Sequence, residues 1–284
     1  MLHGRLNRNR PYAWATAALV LAVATASVAV FSAGASARPA TAAQAKPTIV
    51  LVHGAWANTA SWSGVIARLQ SEGYTVYSPP NPLRSLNGDA ATIADFLRTI
   101  KGPVVLVGHS YGGAVITNAA DGVPNVKALV YVDAFAPAQG ESALELTAKF
   151  PGSVLNSASP SQVFRSVSYP GEPTGDPLLY VNPSFFLNGF ANDLSAKAGA
   201  VALATQAPVT LGAVTDVSGP PAWQHIPSWY VVGTIDQVIP EAAQMFMAER
   251  AHAHITKVRA GHLSIVSQPG VVAKVITEAA QSVH

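Results

Sequence analysis

Apolar positions between residues 47 and 132 come in two alternating textures. Short, nearly unbroken runs, Thr48-Ile49-Val50-Leu51-Val52, Val104-Val105-Leu106-Val107 and Val126 to Val132, put β-branched and other apolar residues on consecutive positions. A strand does this when both of its faces are covered. Between the runs, Trp62, Val65, Ile66 and Leu69 recur at three- and four-residue spacing, as do Ile93, Phe96, Leu97 and Ile100 within the segment Asp89 to Ile100. That period gathers them on one face of a helix. Tyr74-Thr75-Val76-Tyr77 reads as a further extended segment, and a small-residue helix is expected from Ser110 to about Ala120.

After Asp133 the regularity breaks. Residues 137–222 carry prolines and scattered aromatics with weak periodicity, and read as a cap inserted into the fold. The alternation resumes with a strand at Trp229 to Val232, a helix from Pro240 to Ala251, a strand at Ile255 to Val258 and a closing helix after Pro269. Strands alternating with helices predict an α/β fold, a doubly wound, mostly parallel sheet with a helical cap insertion. In such sheets ligands sit at the carboxyl ends of the strands. His53, Ser110, Asp133, Asp236 and His262 all follow predicted strands directly.

The first 45 residues do not follow this pattern. Arg5, Arg8 and Arg10 precede an uncharged apolar stretch from Ala13 to Phe31, and Ala35-Ser36-Ala37 offers a small-residue cleavage site. This reads as an export signal, so residues 1–45 are expected to be a leader and 46–284 the functional domain. Cleavage would leave no stable membrane anchor and a secreted or envelope-associated protein of about 240 residues, enough for one α/β domain. The chain has no cysteine, which excludes disulfides, thiolate metal sites and a cysteine nucleophile. A net charge of only +2 gives no footprint for nucleic acid. No nucleotide loop or metal-ligand cluster stands out, so neither a cofactor nor a metal is expected. The expected partner is a small, neutral molecule.

One pentapeptide changes the picture. Gly108-His109-Ser110-Tyr111-Gly112 follows the apolar run 104–107 and opens a predicted helix, the setting of a nucleophile elbow that presents a serine from a sharp strand-to-helix turn. A serine hydroxyl needs a base to take its proton and an acid to orient that base. Asp236 and His262 supply them in the chain order serine, acid, base, with Asp133 as a competing acid. Of the eight histidines, His262 alone sits behind a glycine at a late strand end. Charge developing on a carbonyl oxygen needs rigid donors. The amides of Tyr111, at the start of the helix, and Ala55, after His53-Gly54, are the candidates.

Val50-Leu51-Val52-His53-Gly54-Ala55-Trp56, Gly108 to Gly113, Gly233 to Pro240 and Gly261-His262 together resemble the α/β-hydrolase superfamily. The likeness is to the small bacterial esterase-like branch related to plant methyl esterases and hydroxynitrile lyases. That resemblance implies a triad of Ser110, Asp236 and His262, an oxyanion hole at Ala55 and Tyr111, and carboxylester hydrolysis through an acyl-enzyme. Haloalkane dehalogenases and epoxide hydrolases carry an aspartate nucleophile where this chain has Ser110. Hydroxynitrile lyases carry a lysine and a threonine where it has Leu263 and Gly54. Trp56, Phe135, Phe185, Phe186 and Leu263 are expected to contact a hydrophobic or aromatic ester. Other chemistry on the same triad, such as C–C, amide or lactone hydrolysis or perhydrolysis, stays open at this point, as does a non-catalytic ligand-binding role.

Overall fold

The computed structural model describes residues 46–283, so the leader expected over residues 1–45 lies outside the described residues. The chain first builds three βα units: β1 (Thr48–Val52), α1 (Ser63–Ser71), β2 (Val76–Tyr77), α2 (Leu86–Arg98), β3 (Val104–His109), α3 (Tyr111–Ala119) and β4 (Val126–Val132). The cap follows with α4 (Ala143–Lys149), α5 (Pro160–Val163), β5 (Phe164–Val167), β6 (Leu178–Val181), α6 (Pro183–Phe185), α7 (Ala196–Ala204), β7 (Val209–Thr210) and α8 (Leu211–Thr215). The domain closes with β8 (Ser228–Gly233), α9 (Glu241–Arg250), β9 (His254–Val258), α10 (Ser264–Ser267) and α11 (Pro269–Gln281).

The central sheet has six strands in the order β2-β1-β3-β4-β8-β9, and every pairing in it is parallel. Its strands alternate sides residue by residue, as the two-residue period of a strand requires. Ile49, Leu51, Val105, Val107, Val130 and Val132 pack with α1 and α11 on one face, whereas Val50, Val52, Leu106 and Leu129 pack with α2, α3 and α9 on the other. Continuous apolar runs were therefore the correct signature of strands with two buried faces.

Two details depart from the sequence pattern. Helix α2 starts at Leu86, three residues before Asp89, because the Ser85 hydroxyl accepts from the Gly88 amide and caps the first turn; such a cap contributes about 1 kcal/mol. The cap region adds to its helices a small antiparallel sheet, β5-β6-β7. Strands of two to four residues are too short to leave a readable alternation, which is why the sequence displayed only weak periodicity there. The cap is clamped to the sheet domain by Arg250. Its guanidinium binds Glu141 through two nitrogens at 2.9 and 2.7 Å and the Ala136 carbonyl at 2.9 Å.

Candidate active site

Ser110 sits between β3 and α3 with φ 54° and ψ −126°, a left-handed conformation that costs a non-glycine residue of order 1–3 kcal/mol and persists only where surroundings enforce it. Enforcement comes from both sides of the peptide. The Ser110 amide donates to the Val132 carbonyl at 3.2 Å, and its carbonyl accepts from Gly113 and Phe135 at 2.9 and 3.1 Å. Gly112 is required by close approach: a Cβ there would overlap the Val52 carbonyl oxygen.

From this turn the Ser110 Oγ lies 2.8 Å from His262 Nε2, and His262 Nδ1 lies 2.8 Å from Asp236 Oδ2. Asp236 follows β8, and His262 lies in the turn between β9 and α10. An ionised carboxylate can only accept, so Nδ1 carries the ring proton and Nε2 is left to accept from the serine hydroxyl. All three side chains are buried. Burial lowers the His262 pKa to about 3, opposed by the nearby charge of Asp193. Burial pushes the Asp236 carboxyl well above its ordinary range, opposed by the amides of Val238 and Ile239. Those amides donate to its Oδ1 at 2.7 and 3.0 Å, and the Gln244 side-chain amide donates to Oδ2 at 2.8 Å. With the imidazole, Asp236 accepts from four donors.

Asp133, the competing acid, is also fully buried after β4, where the Ser264 amide donates to its Oδ2 at 3.3 Å. Burial raises its carboxyl well above the usual range, and the charge of Asp236 raises it further. Asp236, with four donors around its carboxylate, is the better supported of the two to carry negative charge.

Two further side chains support the three, and of them sequence reasoning missed Gln244. Gln244 lies on the buried face of α9, where a fully buried amide among apolar neighbours was the available signal. His109, inside the pentapeptide, donates from Nε2 to the His262 carbonyl at 2.8 Å. Burial, and then the neighbouring His262, hold His109 well below its ordinary pKa and thus neutral. Phe190 closes the other side, its ring 4.6 Å from the His262 ring in an edge arrangement.

Ala55 and Tyr111 flank the serine, and among the described residues neither backbone N–H donates to a protein acceptor. The loop carrying Ala55 is pinned by His53, whose Nε2 accepts from the Asn81 amide at 3.1 Å while Asn81 Nδ2 donates to the His53 carbonyl at 3.0 Å. Gly54 touches the serine itself: a Cβ there would stand 2.5 Å from Ser110 Cβ and 2.7 Å from the His109 carbonyl oxygen. Gly54→Ala is expected to displace the loop or the serine by about 1 Å, reducing kcat/KM about 10²-fold, with about 1–3 kcal/mol of lost stability. Steady-state kinetics beside thermal unfolding check both.

Above Ser110 opens a cavity of about 510 Å³, lined by Ala55, Trp56, Tyr111 and Phe135 from the sheet domain and by Phe164, Leu179 and others from the cap. Among the described residues no charged side chain lines it. Trp56 and Phe135 take the positions expected of them. Phe185, Phe186 and Leu263 do not: none lines the cavity. Phe186 is wholly buried and stacked on Phe190 at 5.3 Å, Leu263 is buried in the core beside the base, and Phe185 packs against that core. An aromatic residue in the cap counts as well for cap core as for pocket wall, and only the path of the chain separates the two.

A family model described as alpha/beta hydrolase family matches residues 49–275. The chain belongs to the alpha/beta hydrolase family. Among relatives of this hydrolase, the carbendazim hydrolyzing esterase of Nocardioides sp. is 38% identical over 35% of this chain, a match spanning 47% of that relative, about half its length. Alpha/beta hydrolase nvfD of Aspergillus novofumigatus is 29% identical over 83% of this chain and 97% of its own. Among solved structures, tomato methylketone synthase I complexed with 2-tridecanone superposes with a TM-score of 0.70 at 19% identity, covering 84% of this chain and 100% of that one. A pyrethroid hydrolase gives 0.67 at 21%, covering 83% and 98%. At those identities the structural likeness speaks for the fold.

Proposed function

We propose that this hydrolase is a serine carboxylesterase acting on small, neutral, hydrophobic or aromatic esters. One observation carries the reading: an unbroken hydrogen-bonded chain from Ser110 through His262 to Asp236 at the floor of an uncharged cavity. In this reading His262 Nε2 takes the Ser110 proton as Oγ attacks the ester carbonyl, forming a tetrahedral oxyanion held by the Ala55 and Tyr111 amides. His262 then gives the proton to the leaving alcohol, leaving an acyl-serine. Water, deprotonated by the same imidazole, releases the acid. Asp236 orients His262 and stabilises its charged form. The carbendazim hydrolyzing esterase among the relatives favours ester cleavage over the other reactions open to such a triad. The apolar walls and absent charges favour uncharged substrates. The basic and apolar leader supports export, which N-terminal sequencing of protein from the culture medium checks.

The test is turnover of p-nitrophenyl acetate and butyrate, with a fluorophosphonate probe to mark the nucleophile. Saturable hydrolysis and a single adduct on Ser110 are expected, and folded protein that takes up no label would refute the reading. The pH profile gives an independent check. His262 serves as base only when neutral, so activity is lost as pH falls through its pKa. Because burial holds that pKa below the ordinary 6.5, kcat/KM should stay level as pH falls through 6.5 and decline only in more acid solution. The sequence alone, assuming an ordinary histidine, would place the decline near 6 to 7. A limb centred at 6.5 would mean that the Asp236 carboxylate offsets the effect of burial on the imidazole.

A further inference from the structure

The loop that carries Ala55 is held from above, by the cap. Trp56 has φ 57°, a left-handed conformation that a bulky residue takes only under constraint. Its backbone amide donates to the Ala207 carbonyl at 2.9 Å, and its indole Nε1 donates to the Leu179 carbonyl of β6 at 2.8 Å. The indole stacks on Phe164 of β5 at 5.6 Å and meets the edge of Phe190 at 5.4 Å. Two residues on, Asn58 Nδ2 donates to the Thr205 carbonyl at 2.8 Å. All five partners belong to the cap region, and the ring is buried. The Ala55–Trp56 peptide thus takes its orientation from contacts that exist only while the cap sits against the sheet domain. The neighbouring Ala55 N–H, which has no protein acceptor among the described residues, opens on the same cavity as Ser110.

We propose that Trp56 is a positioning residue that couples the cap to the oxyanion hole, aiming the Ala55 amide at the developing negative charge only when the cap is seated. The proposal rests on the acyl-transfer reading above. It makes an apolar substrate, by filling the space between cap and sheet, a contributor to the donor that stabilises its own transition state. Such an arrangement acts on kcat more than on KM, because the interaction matters only once the oxyanion forms.

The test compares the wild type with Trp56→Phe, which keeps a ring for Phe164 and removes the indole donor, and with Asn58→Asp, which keeps the helix-capping oxygen and removes the donor to Thr205. Each protein is assayed for kcat and KM on p-nitrophenyl butyrate. Each is also assayed for inhibition by an alkyl trifluoromethyl ketone, which adds to a serine as a tetrahedral oxyanion, and by the matching secondary alcohol, which fills the pocket without adding. For Trp56→Phe we expect kcat to fall by about 10- to 100-fold, less than deletion of a whole donor can cost, with KM little changed. Ketone inhibition should weaken in parallel while alcohol inhibition stays constant, and Asn58→Asp should move the same way by less. A folded Trp56→Phe with wild-type kcat, or one weakened equally toward ketone and alcohol, would overturn the proposal by showing a residue that only shapes the pocket. If Trp56→Phe does not fold, an unchanged ketone-to-alcohol ratio in Asn58→Asp overturns it. A wild type inert toward every ester overturns the acyl-transfer reading and this proposal with it, and is recognised before any variant is compared.

Discussion

Replacing Ser110 by alanine is expected to lower kcat for p-nitrophenyl esters by about 10⁴- to 10⁶-fold, the scale at which members of a serine triad act as one unit. The physical reason is local. Ser110 Oγ meets His262 Nε2 at 2.8 Å, so in the proposed mechanism its deletion removes the atom that attacks the ester carbonyl. The backbone at φ 54° points that atom toward His262. Alanine keeps the same backbone penalty and the same contacts, so folding should be preserved and KM, where measurable, little altered. His262→Ala should cost nearly as much, and the double variant scarcely more than either single one. Rates measured side by side with unfolding curves check this. Additive losses would mean that serine and histidine work independently.

Asp236→Asn is expected to lower kcat by about 10⁴-fold, and Asp133→Asn by far less, the measurement being the two rates on one ester at one pH. An amide at 236 can turn its NH₂ toward His262 Nδ1 and favour the ring tautomer that carries its proton on Nε2, where it cannot accept from serine. It also forfeits the negative charge that stabilises the imidazolium. Among the described residues Asp133 makes no bond to the imidazole, so a neutral amide of the same shape changes little there. Comparable losses at the two positions would mean that the carboxylates share the role. Gln244 bears on the same point, since its amide donor at 2.8 Å helps keep the charge on Asp236.

Much of this was legible in residue order. The four inner strands of the central sheet, β1, β3, β4 and β8, lie where apolar runs fall, because a strand covered on both faces has no polar position to spare. The glycines around Ser110 were readable as well, since Gly112 stands where a side chain would collide with the Val52 carbonyl. The choice between Asp133 and Asp236 was harder, because both follow strands and both are buried. Their difference lies in the count and direction of donors around each carboxylate, which composition and spacing do not encode. Phe185, Phe186 and Phe190 illustrate the other limit. Their hydrophobicity requires burial but does not say against what.

The sequence by itself determined the family, the sheet and the candidates for nucleophile, base and acid, with two aspartates competing for the last role, because these rest on short-range rules: strand periodicity, tight-turn sterics and the order of strand ends. Tertiary structure alone decided that 110, 236 and 262 meet at 2.8 Å contacts, that the imidazole is buried, and that the cap holds Trp56 in the loop that carries Ala55. Each of these depends on contacts between segments tens to more than a hundred residues apart. Chain closure of that range is settled by the packing of the whole domain and by no single stretch of it.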